Sequence, residues 1–525
     1  MEKPAVPVKW ALPPQQQAVL GIPAAMPKNA FYEATEMDRA GRHEESERVY
    51  QELLNADFDN PVLHAALGMN FCARERHGVA SILLRKALEN ISGMMAGFKR
   101  LGVTPKSDLS TEIDNFFSVK RSEILNALGT CYKHENKTEE ARRFFEEAQS
   151  HVPPNADIQN NLGTLYINEG KPEKALEHLD YSLLIDPTHP QAAWNKSLAH
   201  LELGDYKQGW PLYDRGFDAK VRYERNYTPP NIILPRWKGE PEKNLIVYGE
   251  QGIGDEIMFA SCLNEVIRMS NLVVVDCHKK LKRLFASSFP GIDIYGTRED
   301  QQIQWSMNPD GTMRYPFDAR VASGSLPGFF RPTLDSFPGT PFIHPEPDLE
   351  AAWAVKLSKL GPRPKVGISW AGGHKRTRVE VRSMRLEQML PILQQDADFI
   401  SLQYTDCHSE ILELEKKHGI KVHYFPEATH SPDYADTAAL VANLDLVITV
   451  CTSVVHLAGA MGVPTWVLTP SRPAWRYRLD LDYMPWYGRT VTLFRQAPET
   501  TDWTPVVAEV SESFNDLVGA THVQS

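Results

Sequence analysis

Residues 447–464 read VITVCTSVVHLAGAMGVP. The stretch opens on an apolar, β-branched run that ends at Val450, which is typical of a buried strand. It then turns through CTS (451–453) into a run of small residues, and His456 falls in the first turn of the helix that this run predicts. A second apolar run, TWVLT (465–469), follows at once. This strand–helix–strand order predicts a parallel α/β domain.

The same order occurs elsewhere in the second half of the chain. The further strand-like segments are LIVY (245–248), LVVVDC (272–277), KVGISWAGG (365–373) and FISLQY (399–404). We therefore expect two Rossmann-like lobes, over 244–345 and 361–500, that face each other across a cleft. In open α/β sheets ligands bind beyond the carboxyl ends of the strands, so each loop that follows a strand is a candidate site.

The first half of the chain repeats itself instead. Residues 124–155 align with 158–189 at an offset of 34, and Leu128, Gly129, Tyr132 and Ala141 match Leu162, Gly163, Tyr166 and Ala175. That period and pattern resemble the tetratricopeptide repeat, a pair of helices per unit. Weaker copies lie at 31–61, 62–90 and 192–217, and residues 91–120 interrupt the period as an insertion. We expect an α-solenoid over 28–220 that binds a protein segment; a spacer or a dimerisation element is the alternative.

The remaining segments have simple compositions. Residues 1–27 are rich in Pro and Gln and predict a disordered leader without a signal peptide. Residues 221–243 are Pro-rich and predict a linker, 345–360 predict a charged connecting helix, and 501–525 predict a C-terminal helix. No stretch is long and apolar enough to span a bilayer.

Charge and cysteine content limit the function classes. The formal net charge of −11 argues against broad affinity for nucleic acid, because no basic field attracts phosphates. The six cysteines contain no CxxC pair, so the sequence indicates neither a disulfide framework nor a zinc site. We expect a cytoplasmic protein; repeat arrays of this kind often pair, and a homo-oligomer is compatible with the sequence.

The loop at 451–456 offers groups for an anion. Amides and hydroxyls of Thr452 and Ser453 lie at a predicted helix N-terminus, where free N–H groups and the positive end of the helix dipole suit a phosphate or diphosphate. His456 would add a hydrogen bond or a positive charge. The alternative is that Ser453 only caps the helix and His456 is a core histidine.

A basic run follows another strand end. WAGGHKRTRVEVRSMRLEQM (370–389) places six basic side chains behind a glycine pair at 372–373, namely His374, Lys375, Arg376, Arg378, Arg382 and Arg385. Glycines after a buried strand let the backbone approach a ligand closely, and a diphosphate there would gain charge-assisted hydrogen bonds. Some of these six residues must instead form a solvated basic face that binds no ligand.

The third loop carries a carboxylate. In GEQGIGDEIMF (249–259), Gly252 and Gly254 precede Asp255 at the predicted start of a helix. Asp255 is either an N-cap or a general base held in the cleft between the lobes. The segment does not complete GxGxxG, so a nicotinamide site is not predicted.

Taken together, the motifs resemble a known family. GEQGIGDEIMFASCL, GISWAGG…RS, SLQY, DTAALVANLDLVITVCTSVVHLAGAMGVPTWVL and WYGRTVTLFRQ…DW are similar to bacterial tetratricopeptide-repeat glycosyltransferases. Their C-terminal half resembles the ADP-heptose:lipopolysaccharide heptosyltransferases and, more distantly, the whole plan resembles the protein O-GlcNAc transferases. The resemblance implies a GT-B fold, a nucleotide-sugar donor bound in the C-terminal lobe, inverting chemistry, and neither a metal nor another cofactor.

The resemblance also implies roles for individual residues. Asp255 matches the aspartate thought to act as catalytic base, and Lys375 lies near the phosphate-binding lysine of the family. The implied donor-binding set is Gly252, Gly254, Ser369, Trp370, Gly372, Lys375, Arg382, Ser383, Gln403, Cys451, Thr452, Ser453 and His456. One position departs from the family, since Cys451 stands where an aspartate that contacts donor sugar hydroxyls is usual.

Two functions from different classes follow. The first is a hexosyl- or heptosyl-type glycosyltransferase whose repeats recruit the acceptor, and a protein is the acceptor that we expect. The second is a repeat-based binding scaffold whose GT-B half has lost turnover, which the Cys451 departure favours. DLD (480–482) superficially matches a metal-binding motif of a different glycosyltransferase fold and is interpreted as a coincidence.

Overall fold

The computed structural model describes residues 28–100, 108–151, 153–229, 232–300, 303–373 and 379–523. The expected leader at 1–27 lies outside the described residues. The chain divides into two compact units: one runs to Ile167 and adds Glu177–Ala192, and the other comprises Asn168–Leu176 and Ala193–Ser525. We refer to them as the helical unit and the α/β unit.

Helices in antiparallel pairs make up the first part of the chain. They are α1 (Lys28–Arg39), α2 (His43–Ala56), α3 (Pro61–Ala73), α4 (His77–Arg100), α5 (Asp108–His134), α6 (Thr138–Ser150), α7 (Ala156–Asn168), α8 (Pro172–Ile185), α9 (Pro190–Leu203), α10 (Tyr206–Tyr213) and α11 (Arg215–Asp218). Small residues set the spacing within a pair. A Cβ on Gly129 of α5 would lie 2.5 Å from the ring of Phe145 in α6, and one on Gly68 of α3 would lie 2.8 Å from Leu84 in α4.

The insertion expected at 91–120 is helical where it is described, and its residues 101–107 lie outside the described residues. The chain stays helical to Arg100 and is helical again from Asp108, so the added residues lengthen α4 and α5 to 24 and 27 residues. Ile91 and Phe117 are buried in the core of the helical unit. The extra length therefore packs with the repeats and is not a simple break between them.

The boundary between the units lies nearer 192 than the expected 220. Tyr206, Trp210 and Tyr213 of α10 are buried in the same core as Leu245 of the first α/β strand. Trp210 Nε1 also donates a 2.8 Å hydrogen bond to the carbonyl of Arg331. The last helices of the array thus belong to the α/β unit, because their aromatic side chains complete its core.

The segment expected as a linker, 221–243, is fixed in place where it is described. Arg222 and Trp237 are buried, and the Trp237 amide donates to the carbonyl of Arg320 at the edge of the first sheet. The segment lacks regular structure, as its composition predicts, but it packs against the first lobe.

The first lobe is a four-stranded parallel sheet of order β3-β2-β1-β4. Its elements are β1 (Asn244–Tyr248), α12 (Ile253–Phe259), α13 (Leu263–Met269), β2 (Leu272–Asp276), α14 (Lys282–Ser288), β3 (Asp293–Tyr295), β4 (Ala319–Ala322) and α15 (Pro327–Phe330). Strand β1 is central, with Leu245 opposite Val273 on one side and Ala319 on the other. Its apolar run is buried on both faces, as parallel strands require.

The second lobe is a seven-stranded sheet of order β10-β11-β9-β8-β5-β6-β7, parallel except for the edge strand β10. Its elements are β5 (Lys365–Ser369), α17 (Leu390–Leu393), β6 (Asp398–Ser401), α18 (His408–His418), β7 (Val422–His423), α19 (Pro426–Thr429), α20 (Ala435–Ala442), β8 (Leu446–Val450), α21 (Ser453–Met461), β9 (Thr465–Thr469), β10 (Tyr483–Met484) and β11 (Gly488–Arg495). Strand β8 is the apolar run of the 447–464 stretch.

Two further helices complete the α/β unit. Helix α16 (Pro347–Ser358) connects the lobes, and its Trp353 Nε1 donates to Asp436 of α20. Helix α22 (Thr504–Val523) returns to the second lobe, where Val510 and Phe514 share a core with Phe399. The prediction of a tetratricopeptide-type helical array followed by two Rossmann-like lobes in the GT-B arrangement is confirmed.

Within the described residues, no helix is long and apolar enough to cross a membrane.

Candidate active site

Asp255 lies where the two lobes of the α/β unit meet. It belongs to the first turn of α12, just after the loop that follows β1, and its carboxylate forms an ion pair with Arg476 Nη2. Arg476 comes from the second lobe, in a 3-10 turn at Trp475–Tyr477 that follows β9. Both side chains are mostly buried, with 19% and 17% of their surface exposed. The pair thus joins residues that follow the carboxyl ends of one strand in each sheet.

Arg476 keeps unused hydrogen-bonding capacity. Its Nε is buried and has no hydrogen-bond partner among the described residues. An unsatisfied buried donor is unfavourable unless another group accepts from it. The guanidinium therefore offers an N–H to an additional acceptor beyond Asp255.

The two other carboxylates of the loop point into the first lobe. Glu250 is buried and forms an ion pair of 2.9 Å with Arg222. Glu256 is buried, accepts a 2.8 Å hydrogen bond from the His278 amide, and burial raises its pKa to about 8. Of the three acidic residues in this loop, Asp255 alone reaches across to the other lobe.

The glycines of the loop control how closely the lobes approach. A Cβ on Gly254 would lie 2.8 Å from His456 Cδ2 and 3.3 Å from Ser453 Cα, so this glycine lets α12 touch α21. A Cβ on Gly252 would lie 3.2 Å from the Asp255 carboxylate. Gly254 thus serves the contact between the lobes, and Gly252 is exposed beside the carboxylate.

The turn between β8 and α21 is not capped by Ser453, the cap that was the alternative to an anion site. Thr452, not Ser453, is the N-cap, because its hydroxyl accepts a 3.2 Å hydrogen bond from the Val454 amide. Ser453 is partly exposed, and its hydroxyl lies 2.7 Å from that of Tyr434. Cys451 and Thr452 are buried. Ser453 is therefore the residue of this turn with the most access to the cleft.

His456 is a neutral, buried side chain. Its Nδ1 lies 2.9 Å from the hydroxyl of Tyr487. Burial lowers its pKa well below the usual value, and the positive charges of Arg476 and Arg382 lower it further. The positive charge considered from the sequence therefore does not arise at this position, and the histidine packs beneath the contact between the lobes.

Several of the expected donor-binding residues are buried and stabilise the loop after β5 through hydrogen bonds and packing inside the lobe. Ser369 is fully buried and donates a 3.2 Å hydrogen bond to Gln403 Oε1, and the Gln403 amide nitrogen donates in turn to the Ala371 carbonyl at 2.8 Å. Trp370 is buried in the core of the second lobe and donates from Nε1 to Glu410. These residues hold the loop, and they do not present their side chains to the cleft.

The remaining residues of that loop lie nearer the cleft. The Gly372 amide donates to Ser383 Oγ at 3.1 Å, and Arg382 Nε donates to the Gly372 carbonyl at 3.2 Å. A Cβ on Gly372 would lie 2.4 Å from Thr452 Cγ2, so the loop needs glycine to approach the β8–α21 turn. Lys375, like His374, Arg376 and Arg378, lies outside the described residues.

A small pocket opens in the second lobe at this place. Its lining residues are Val381, Arg382, Cys451, Pro470, Arg472, Pro473, Ala474 and Tyr477. Two of them are arginines, and Arg476 of the ion pair lies in the same 3-10 turn as Tyr477. Burial raises the pKa of the Cys451 thiol to about 11, so this side chain is a protonated wall residue and not a nucleophile.

The sequence reasoning missed the loop after β9. SRPAWRYR (471–478) supplies Arg472, Arg476 and Tyr477 to the site. Ligands of open α/β sheets bind beyond the carboxyl ends of the strands, so the strand TWVLT (465–469) indicates that this segment is a candidate site. The motifs lie at the other strand ends, and the loop after β9 was therefore not predicted. The neighbouring DLD forms local ion pairs, Asp480 with Arg478 at 2.7 Å and Asp482 with Arg489 at 3.5 Å.

The chain is similar to known proteins in its repeats and over a longer stretch of 341 residues. The tetratricopeptide repeat family matches residues 132–201. Protein FlbA of Caulobacter vibrioides is 29% identical over 341 residues, which are 61% of this chain and 54% of that protein. The chain therefore spans about half the length of the curated relative that it matches.

Two solved structures are similar to separate parts of the chain. Pseudomonas aeruginosa PilF is similar over 38% of this chain and 78% of its own, with 20% identity and a TM-score of 0.28. A glycosyl transferase family 9 protein from Veillonella parvula is similar over 58% of this chain and 99% of its own, with 12% identity and a TM-score of 0.39.

Proposed function

We propose that the chain is a metal-independent glycosyltransferase that moves a sugar from a nucleoside diphosphate donor to an acceptor. One observation carries the proposal. The Asp255 carboxylate of the first lobe pairs with Arg476 of the second lobe, and the turn that carries Arg476 also supplies Tyr477 to a pocket lined by Arg382 and Arg472. A carboxylate opposite a cationic pocket is what base-assisted transfer from a diphosphate leaving group requires.

The charges of the pocket suit a diphosphate. Guanidinium groups bind phosphate oxygens through paired, charge-assisted hydrogen bonds. The Nε of Arg476, which has no partner in the part of the chain that the structure describes, provides a donor that a phosphate oxygen would satisfy. Helix α21 begins at Ser453, two residues after Cys451 of the pocket wall, and adds the positive end of its dipole. Three cationic side chains thus lie in or next to the pocket, where they would stabilise the negative charge that builds on the leaving group in place of a metal ion.

The reaction step follows from this arrangement. An acceptor hydroxyl or amide attacks the anomeric carbon, the bond from that carbon to the phosphate oxygen breaks, and its electron pair stays on the nucleoside diphosphate. Asp255 takes the acceptor proton. A single displacement of this kind inverts the anomeric configuration. Because Asp255 is paired with Arg476 before the donor binds, the diphosphate has to draw Arg476 away for the carboxylate to act as a base.

The repeats support a protein acceptor. Residues 132–201 match the tetratricopeptide repeat, whose stacked helices usually bind protein segments. We propose that the helical unit recruits the polypeptide that carries the attacked side chain, within a cytoplasm that supplies nucleotide sugars.

A binding scaffold without turnover is the second candidate. It is favoured by Cys451, which as a buried thiol cannot replace the sugar-binding carboxylate that the resembling family has at this position. Such a protein would bind a nucleoside diphosphate at the arginine-lined pocket and would release no sugar.

Donor screening distinguishes the two candidates. The full chain is incubated with a panel of nucleotide sugars, free nucleoside diphosphate is measured, and the anomeric configuration of the product is read by NMR. We expect stabilisation by one nucleoside diphosphate, release of that diphosphate from its sugar, and inverted product. The matching nucleoside monophosphates are the control, because they lack one phosphate for the arginines. Binding without release from any nucleotide sugar would favour the scaffold.

A further inference from the structure

Cys72, His77 and Cys131 lie close together in the helical unit, although Cys131 is 59 positions from Cys72 in the sequence. Cys72 lies in the last turn of α3, His77 is the first residue of α4, and Cys131 lies in the last turn of α5. The two sulfur atoms are 3.0 Å apart, and one ligand atom from each of the three residues lies within 4.8 Å of the others. Nothing in the proposed transfer reaction uses this cluster.

The third ligand atom of the cluster is a ring nitrogen of His77. Nδ1 of His77 is buried and has no hydrogen-bond partner among the described residues. An imidazole nitrogen is a common ligand of Zn²⁺ in proteins. The exposed ring of His134, one turn beyond Cys131, stacks on His77 with 4.2 Å between the ring centres. Two thiols and two imidazoles therefore share one place at the surface.

We propose that Cys72, Cys131 and His77 bind a thiophilic divalent cation, with Zn²⁺ as the ion that fits this donor set best. Two sulfurs and one nitrogen are typical of tetrahedral zinc sites, and the fourth position is open to His134 or to water. Zinc–sulfur bonds of about 2.3 Å place two thiolates roughly 3.7 Å apart in a tetrahedron, so the sulfurs have to separate by less than about 1 Å.

The surrounding charges have mixed signs. Glu75 and Glu135 face His77 and favour a cation, whereas Lys133 opposes it. Two thiolates would neutralise the two charges of the ion, so the site does not depend on these neighbours.

The ion would act as a clasp between repeats. It would join the turn between α3 and α4 to the end of α5, and α4 and α5 are the two helices that are lengthened where the repeat period is broken. Because such a site does not exist in the unfolded chain, metal binding would add to the stability of the helical unit. The inference does not depend on the proposed transferase activity.

Metal analysis of the full chain tests the proposal. The protein is stripped with a chelator, titrated with Zn²⁺ against a competing indicator, and separately titrated with Co²⁺. We expect one Zn²⁺ per chain and a thiolate-to-Co²⁺ charge-transfer band. Cys72→Ser and Cys131→Ser should abolish the band and weaken Zn²⁺ binding by more than the roughly 10–100-fold that loss of an outer-shell partner costs. Cys262→Ala, a change at a buried cysteine of the α/β unit, is the matched control.

Two results would overturn the proposal. One is Zn²⁺ binding by the unaltered chain no tighter than by Cys72→Ser. The other is a disulfide between Cys72 and Cys131, seen as two fewer reactive thiols than the six of the sequence after denaturation with chelator. His77→Asn changes a partly exposed side chain at a helix start, so it tests the site even where a cysteine variant fails to fold.

Discussion

The ion pair between Asp255 and Arg476 corresponds to the state of the site before the donor binds in the proposed reaction. In the ion pair each charge has a partner, whereas the buried Nε of Arg476 has no hydrogen-bond acceptor among the residues described. A donor diphosphate would satisfy that nitrogen and compete for the guanidinium. The base would then be released only when there is a leaving group to displace, which protects the donor from unproductive attack by water.

Asp255→Asn should abolish transfer and leave nucleotide binding intact. The amide keeps the shape of the side chain but cannot take the acceptor proton, so kcat should fall by at least about 100-fold. Steady-state kinetics and calorimetric titration with the nucleoside diphosphate measure the two effects. Asp482→Asn, the same change at a mostly exposed carboxylate in DLD, is the control and should leave both unchanged. Undiminished turnover in Asp255→Asn would remove this residue from the mechanism.

Arg476→Gln should weaken both binding and turnover. The change removes a cation next to the pocket, so nucleoside diphosphate affinity should fall and kcat should drop by about 100-fold or more, or roughly 3 kcal/mol of lost transition-state stabilisation. The same two measurements apply. Arg489→Gln, at an exposed arginine of the same lobe, is the control. If Arg476→Gln bound the diphosphate as tightly as the unaltered chain, the guanidinium would have no part in holding the leaving group.

His456 should make the α/β unit less stable in acid. Its folded pKa lies below the usual value of about 6.5, so the unfolded chain binds the proton more readily and stability is lost as pH falls below that value. The slope for one such group is at most about 1.4 kcal/mol per pH unit. Urea unfolding between about pH 7.5 and about pH 5.5 measures it. His456→Asn retains an acceptor for Tyr487 but does not titrate, and it should flatten this part of the pH dependence; an unchanged slope would contradict the assignment.

At the scale of elements, close contacts decide which helices and loops meet. The α5–α6 pair depends on Gly129, and the contact of α12 with α21 depends on Gly254. In both places a side chain of the partner element, Phe145 or His456, occupies the volume that a Cβ would need. The same requirement thus builds the repeat and brings the loops of the two lobes together.

Gly129→Ala should destabilise the helical unit although alanine favours helices. The added methyl would lie 2.5 Å from the Phe145 ring, and overpacking of this kind costs about 1–3 kcal/mol. Urea unfolding, with hydrogen exchange of α5 and α6 to locate the effect, measures it. Gly93→Ala in α4 is the control, because its Cβ would meet nothing within 4 Å. That variant should gain about 0.5–1 kcal/mol from helix propensity. A stable Gly129→Ala would mean that α5 and α6 do not pack this closely.

At the scale of the whole molecule, the two units carry separate proposed ligands. Nucleoside diphosphate is assigned to the α/β unit and Zn²⁺ to the helical unit, and the chain divides into these units near residue 192. A ligand that binds only the folded state stabilises the unit that contains its site.

Each ligand should therefore protect one unit. At about 100 times its Kd, nucleoside diphosphate should raise the unfolding free energy of the α/β unit by about 2.7 kcal/mol, with no change in the helical unit. Zn²⁺ should do the reverse. Hydrogen exchange of the full chain resolves the units peptide by peptide, and inorganic phosphate serves as the control for a general anion effect. Protection by the diphosphate confined to α1–α6 would place its site elsewhere.

Local patterns in the sequence determined the repeats, the two Rossmann-like lobes and the position of Asp255 at a helix start. The physical reason is that apolar periodicity and glycine spacing fix local structure and which faces are buried. The same patterns predicted the loops after β1, β5 and β8 as the site.

Only the tertiary structure decided which of those residues face the cleft. Ser369 and Trp370 follow a strand end, yet they are buried, and Arg476 pairs with Asp255 across 221 positions of sequence. The Cys72–Cys131 contact likewise spans 59 positions without a CxxC spacing. Long-range contacts of this kind depend on how whole elements pack, and no local pattern encodes them. For that reason the sequence alone predicts the loops that form the site, whereas only the fold determines which residues in them pair with each other.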